Sequence, residues 1–147
     1  MNNLSRKIEI KFEKGGIFTA NLLENEAPNT CETIWNKLPL TLEFYNSIVS
    51  GQAIVTLPKD LTVEPENQMT LGLPPGTLAF LVRDVPKLVP DEIYIVYGLF
   101  VSRGLTVNNY QPVNIFAQIT ENIEELKLIG KRILMKGAEK VTISQLN

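Results

Sequence analysis

The chain has 147 residues, with 14 Lys and Arg against 16 Asp and Glu, no histidine and one cysteine. That length suits one domain, 1–147, with a core large enough to fold without disulfide or metal staples. The missing histidine excludes Ser-His-Asp and Cys-His catalysis, His-ligated zinc and an imidazole base, and a lone cysteine excludes an intrachain disulfide or a Cys-x-x-Cys pair.

A formal net charge of −2 does not suggest the basic stripe of a nucleic-acid domain, so no nucleic-acid partner is expected. The residues after Arg6 and Lys7 alternate instead of building an apolar leader core. The longest greasy stretch, Ile93 to Val101, is far short of the roughly 20 residues that a spanning helix needs. No membrane partner is expected, and the cytoplasm is the expected compartment. What remains is carboxylate, Lys, Arg, Tyr, hydroxyl and amide chemistry, or binding without chemistry. No metal and no cofactor is expected.

Residues 6–13 alternate, with Ile8, Ile10 and Phe12 on one side and Lys7, Glu9, Lys11 and Glu13 on the other, which predicts a half-buried strand. Lys14-Gly15-Gly16 predicts a tight turn, and Ile17 to Leu23 the returning strand. Pro28 opens a helix, where Asn29 and Glu32 have capping-box spacing and Cys31, Ile34, Trp35 and Leu38 form an apolar stripe that Pro39 ends. Leu40, Leu42 and Phe44 start another strand, and Ala53 to Leu57 a short one after the Ser50-Gly51 turn. Residues 58–77 are proline-rich and read as loop.

Leu78 to Val82 and Ile93 to Tyr97 are continuous apolar runs, which predicts central strands. Gly98 to Gln111 reads as a long polar connection with Arg103-Gly104 and Asn108-Asn109, followed by a strand from Val113 to Thr120. Asn122 is positioned to cap a second helix with Glu125 at its third position, and Ile123, Leu126, Ile129, Ile133 and Leu134 form its apolar face. Gly130 costs this helix about 1 kcal/mol against alanine, so an early break there is open. Gly137 ends it, and Lys140 to Leu146 closes the chain as a strand with Val141 and Ile143 inward. About eight strands with hairpin-length connections and two helices predict a mainly β fold, a closed antiparallel barrel with a helix at each end.

That order resembles a cyclophilin barrel. Gly15-Gly16-Ile17-Phe18-Thr19-Ala20-Asn21-Leu22 followed by Ala27-Pro28-Asn29-Thr30 is similar to the family's opening, Gly76-Thr77-Leu78-Ala79-Phe80 to a strand entry, and Val113 to Ile119 to a later strand. The Glu66-Asn67 pair, Pro75-Gly76-Thr77-Leu78, Tyr97-Gly98 and Val113-Asn114-Ile115-Phe116-Ala117 resemble small uncharacterised bacterial cyclophilin-like proteins. Prolyl-isomerase cyclophilins carry a Phe-His-Arg-Val-Ile strand whose arginine contributes to catalysis. The nearest string here, Phe44-Tyr45-Asn46-Ser47-Ile48, has no arginine, and no Gln-Gly-Gly-Asp segment follows it. The resemblance therefore implies the fold without substantial isomerase activity.

Cys31 reads as a core residue, since it has no histidine partner. Glu24, Glu26, Glu64 and Glu66 are candidates for an acid/base pair or a hard-metal site, although solvated turns explain them as well. Arg83 and Arg103 are two of only four arginines, and Arg103, in the long loop after Tyr97-Gly98, is a candidate carboxylate clamp, although a surface arginine explains it as well. Tyr94 and Tyr97 have opposite parity and should face opposite sides. An unpaired amide beside Phe116 would be costly, so Asn114 is expected either in solvent or in a site.

The expected binding cleft is lined by Phe44, Glu66, Asn67, Tyr97, Arg103, Asn114 and Phe116, and takes a small polar molecule or a peptide-like group. Arg103 would orient an anion, Asn67 and Asn114 supply amide hydrogen bonds, and Glu66 accept them. Two further functions stay open. One is an enzyme with Glu66 as base, acting on an amide, a cyclic imide or a keto acid. The other is an interaction module, with homodimerisation compatible with any of the three.

Overall fold

Ile8, Ile10 and Phe12 are buried while Lys7 and Lys11 are exposed, and Phe18, Ala20 and Leu22 repeat that alternation on the returning strand. In the computed structural model, which describes residues 5–58, 60–70, 73–83, 90–103 and 110–146, these two runs form strands β1 (Lys7–Phe12) and β2 (Ile17–Leu22), paired antiparallel with Ile10 opposite Phe18. Helix α1 (Pro28–Lys37) follows, then β3 (Leu40–Asn46), β4 (Gly51–Thr56), β5 (Thr77–Leu81), β6 (Glu92–Phe100) and β7 (Asn114–Ile119). Helix α2 (Ile123–Lys136) and β8 (Glu139–Leu146) complete the chain. The eight strands close into an antiparallel barrel in the order β1-β2-β7-β5-β6-β4-β3-β8.

Side-chain parity builds two cores. Ile8, Phe12, Phe44, Ile54, Leu78, Phe80, Ile93, Ile95, Tyr97 and Phe116 fill the barrel, joined by Cys31 and Ile34 of α1 and by Leu126, Ile129 and Ile133 of α2. The alternate residues of β4, β5 and β6, among them Val55, Ala79, Tyr94 and Val96, form a second cluster outside the barrel with Leu73 and Val113. Tyr94 and Tyr97 therefore face opposite sides, as their parity requires.

Several local expectations need correction. The helix α1 has Ala27 at its N-cap without a side-chain cap, so Asn29 and Glu32 make no capping box. Asn122 holds the N-cap of α2 in a left-handed conformation, φ 61°, and its side chain makes no capping bond. Leu134 is 54% exposed, since it lies off the buried stripe. The polar connection begins later than Gly98 because β6 runs on to Phe100. Its Gly104 and Asn108-Asn109 lie outside the described residues, as does Pro86.

Helix α2 runs unbroken through Gly130 because tertiary packing needs the gap there. A Cβ at that position would fall inside the van der Waals radius of the Tyr97 ring. The Tyr97 hydroxyl in turn donates to Asn46 Oδ1 at 2.6 Å, which fixes the ring under the helix. At the other side of this end, Glu139 is 2% exposed. It accepts two bonds from Arg132, at 3.0 and 2.6 Å, and one from the Lys14 backbone N–H at 3.0 Å. That cluster ties α2, the β1–β2 turn and β8 together.

Helix propensity alone favours Gly130→Ala. The packing predicts the reverse, a loss of about 1–3 kcal/mol from overpacking against Tyr97. Thermal melting checks this, and a raised midpoint would show that the ring does not need the glycine.

Candidate functional site

The proline-rich loop after β4 is stitched to the barrel by side chains. The Asn114 side chain is fully buried and uses its whole hydrogen-bonding capacity. Its Oδ1 accepts from the Glu66 backbone N–H at 2.7 Å and from Gln68 Nε2 at 2.7 Å, and its Nδ2 donates to Thr30 Oγ1 at 3.1 Å and to the Glu64 carbonyl at 2.9 Å. Asn67 mimics a strand, donating to the Ile115 carbonyl and accepting from the Ile115 N–H, both at 2.9 Å.

Glu66 supplies the cap that Ala27 lacks. Its carboxylate accepts from the backbone N–H of Asn29 at 3.0 Å and of Thr30 at 2.7 Å, and from Thr30 Oγ1 at 2.6 Å. Partial burial pushes its pKa up, but the bonds from Thr30 and Asn29 outweigh that and hold it below the ordinary 4.5. A carboxylate held ionised by a helix N-terminus is poorly suited to take up a proton at neutral pH. Cys31 is equally quiet. Its thiol donates to the Phe116 carbonyl at 3.3 Å, and burial, with the charges of Glu24 and Glu66, pushes it up to about 12.

The seven residues expected to line one cleft thus lie in four places. Phe44 and Phe116 are core residues of the barrel. Glu66, Asn67 and Asn114 form the network beside α1. Tyr97 packs under α2 at the opposite end and also borders a surface groove there. Arg103 lies elsewhere, on the outer face of the sheet. Of the other candidates, Glu24 binds Arg6, and Glu26 and Glu64 are exposed.

Arg103 borders a pocket of about 100 Å³ that sequence reasoning did not assemble. Its floor is a cross-strand row, Tyr45 of β3 opposite Val55 of β4 opposite Tyr94 of β6. Arg83, from just after β5, and Glu92, at the start of β6, form its polar wall, while Ser47, Ile48 and Val49 of the β3–β4 turn form the rim. Arg83 Nη2 lies 3.3 Å from Glu92 Oε1, with side chains only 13% and 17% exposed. The Tyr94 hydroxyl donates to the same Glu92 oxygen at 2.8 Å.

Burial first, then the Glu92 charge, raises the pKa of both Tyr45 and Tyr94, so both hydroxyls stay protonated at neutral pH. The Arg103 backbone N–H binds Ser50 Oγ at 3.0 Å, and its guanidinium stands 5.9 Å from the centre of the Tyr110 ring. It makes no ion pair among the described residues. Among the described residues, the pocket lining therefore holds two arginines and one carboxylate. The only signal for it in the sequence was the scarcity of arginine.

Among the described residues, no cluster of three or more Cys, Asp or Glu could hold a metal ion, and no helix is long and apolar enough to cross a membrane.

The closed barrel with its two capping helices is a cyclophilin-like fold. Over residues 10–145 the chain matches the model of a family described as protein of unknown function, DUF3830, and it belongs to that family. Its fold is similar to that of McbB, solved in complex with tryptophan, with a TM-score of 0.71 and 20% identity; the match covers 93% of this chain and 44% of that one, so the chain spans under half of McbB. A hypothetical protein from Archaeoglobus fulgidus matches with a TM-score of 0.61 and 19% identity, over 99% of this chain and 98% of that one. A cyclophilin-type peptidyl-prolyl cis-trans isomerase from Cryptosporidium parvum matches with a TM-score of 0.59 and 12% identity, over 97% and 98%. No curated protein matches the chain in sequence.

The Glu66 cap predicts a pH dependence. Because its folded pKa is depressed, the stability it contributes is present above about pH 4.5 and is lost as the pH falls through the folded value. Glu66→Gln should cost about 1 kcal/mol at neutral pH, as the loss of a helix cap does. It should also flatten the acid limb of the stability curve. Urea melts from pH 7 down to 3 measure both, and parallel curves for the two proteins would contradict the assignment.

Proposed function

We propose that this barrel binds a small carboxylate-bearing molecule, of the size of an amino acid, in the pocket on the outer face of β3, β4 and β6. The observation that carries the reading is that Arg103 borders the same pocket as the Arg83–Glu92 pair and makes no ion pair of its own among the described residues. Glu92 offsets Arg83, which leaves the Arg103 guanidinium as an excess positive charge beside a partly buried, aromatic-walled surface. An anion is the ligand that such a field favours. Arg103 clamps the carboxylate. Glu92 accepts from an ammonium or hydroxyl on the ligand, and Tyr45 with Ile48 and Val49 covers its apolar part.

The volume of about 100 Å³ suits a head group rather than a whole drug-sized ligand, whose pockets run to roughly 300–1,000 Å³. The tryptophan bound to McbB, a protein of similar fold, is a ligand of this chemistry and supports the reading without fixing the substrate. In this reading Phe44, Glu66, Asn67, Tyr97, Asn114 and Phe116 hold the barrel together, and of the seven expected cleft residues Arg103 alone meets the ligand. The barrel is not a substantial prolyl isomerase. Asn46, at the arginine's place in the resembling strand, is engaged by the Tyr97 hydroxyl.

A thermal-shift panel of small carboxylates and their amides tests the proposal. A carboxylate at about 100 times its dissociation constant adds about 2.7 kcal/mol of stability, a rise of several degrees in the midpoint. The matching amide should give none, and Arg103→Ala should abolish the response while leaving the unliganded midpoint in place, because that side chain is exposed. Equal responses to acid and amide, or an undiminished response in the variant, would overturn it.

A further inference from the structure

Helix α2 carries an outward face that the barrel does not use. Leu126, Ile129 and Ile133 point into the core. On the other side, Glu124, Leu128, Lys131 and Met135 follow one another at intervals of four, three and four residues, the spacing of a two-helix seam. Leu128 is 66% exposed and Met135 79%. Beside them lies a groove of about 430 Å³ lined by Pro75, Tyr97, Leu99 and Leu128 with Lys127 and Lys131, and Leu99 at its edge is 86% exposed. Large apolar side chains gathered on one strip of surface mark an interaction site.

The charges on this strip indicate what covers it. The acidic group, Glu124, lies toward the N-terminal end of the helix and Lys131 toward the C-terminal end. Glu124 makes an exposed pair with Lys127 at 3.2 Å, which leaves its carboxylate accessible, and Lys131 makes no ion pair among the described residues. Such an antisymmetric strip is complementary to itself when two helices run antiparallel, and repels itself when they run parallel. A twofold axis also closes the assembly, leaving no further unmatched strip.

We infer that the occupant is a second copy of this chain, docked through α2 about a twofold axis between Leu128 and Lys131. Each Lys131 lays its aliphatic stem along Leu128 of the second copy and brings its ammonium within a turn of that copy's Glu124. Leu99 of each copy flanks the seam. This interface is independent of the outer-face pocket and of the ligand proposed there.

Analytical ultracentrifugation of the full chain over micromolar to submillimolar concentrations tests the inference. The wild type should sediment as a concentration-dependent dimer. Lys131→Glu places Glu against Glu twice in each interface, and Glu124→Lys places Lys against Lys. Each should weaken association by at least roughly tenfold. The double variant carrying both exchanges should regain most of the affinity, which a change in fold would not produce. All three residues are exposed, so melting midpoints close to that of the wild type should show that the variants fold; Leu128→Asp should dissociate the dimer in the same way. A wild type that stays monomeric throughout, a dimer indifferent to Leu128→Asp, or a double variant no better than the single ones would overturn it.

Discussion

A buried amide that cannot turn to water organises one end of this barrel. Asn114 stands at the start of β7, fully buried, and draws four partners to itself from α1 and from the loop after β4. Leaving any of those groups unpaired in the interior would cost about 1–3 kcal/mol. The loop therefore has one favourable place to lie. Once it lies there, the Glu66 carboxylate reaches the N-terminus of α1, and Asn67 pairs with Ile115 as a strand residue would. A loop too rich in proline for sheet structure is held by amide and carboxylate side chains instead.

This clamp is satisfied from within. Its polar groups are paired with one another. The outer face of the sheet is different. There, cross-strand pairing lines up Tyr45, Val55 and Tyr94, and the chain segments flanking β5 and β6 bring two arginines and one glutamate to the edge of that row. Arg103 has no ion pair among the described residues, which supports the anion site proposed there. The fold thus separates a saturated polar network, which holds the barrel, from an unsaturated one.

Much of the architecture was legible because it rests on local periodicity. The parity of Ile8, Ile10 and Phe12, the stripe on α1 and the apolar runs from 78 and 93 each became the expected element. The failures at the first helix cap and at Gly130 have another physical origin, since each depends on a residue distant in sequence. The spacing of Asn29 and Glu32 suggested a capping box, whereas the cap comes from Glu66, 36 residues beyond Thr30. Gly130 looked like a weak point because the Tyr97 ring it accommodates belongs to another element. Asn114 did draw notice as an amide on an apolar strand, but no pattern in the chain foretells four partners. Arg83 and Arg103 drew notice as scarce arginines, but no pattern in the chain sets both beside the row that the pairing of β3, β4 and β6 builds.

The measurement that bears most directly on this account is a residue-resolved map of ligand contact. Backbone amide NMR shifts followed during titration with a small carboxylate should move at Tyr45, Ser47, Ile48, Val49 and Arg103. Those of Thr30, Glu66, Asn67 and Asn114 should stay in place. Shifts concentrated at Glu66, Asn67 and Asn114, with the outer face silent, would contradict it and return the binding site to the α1 end.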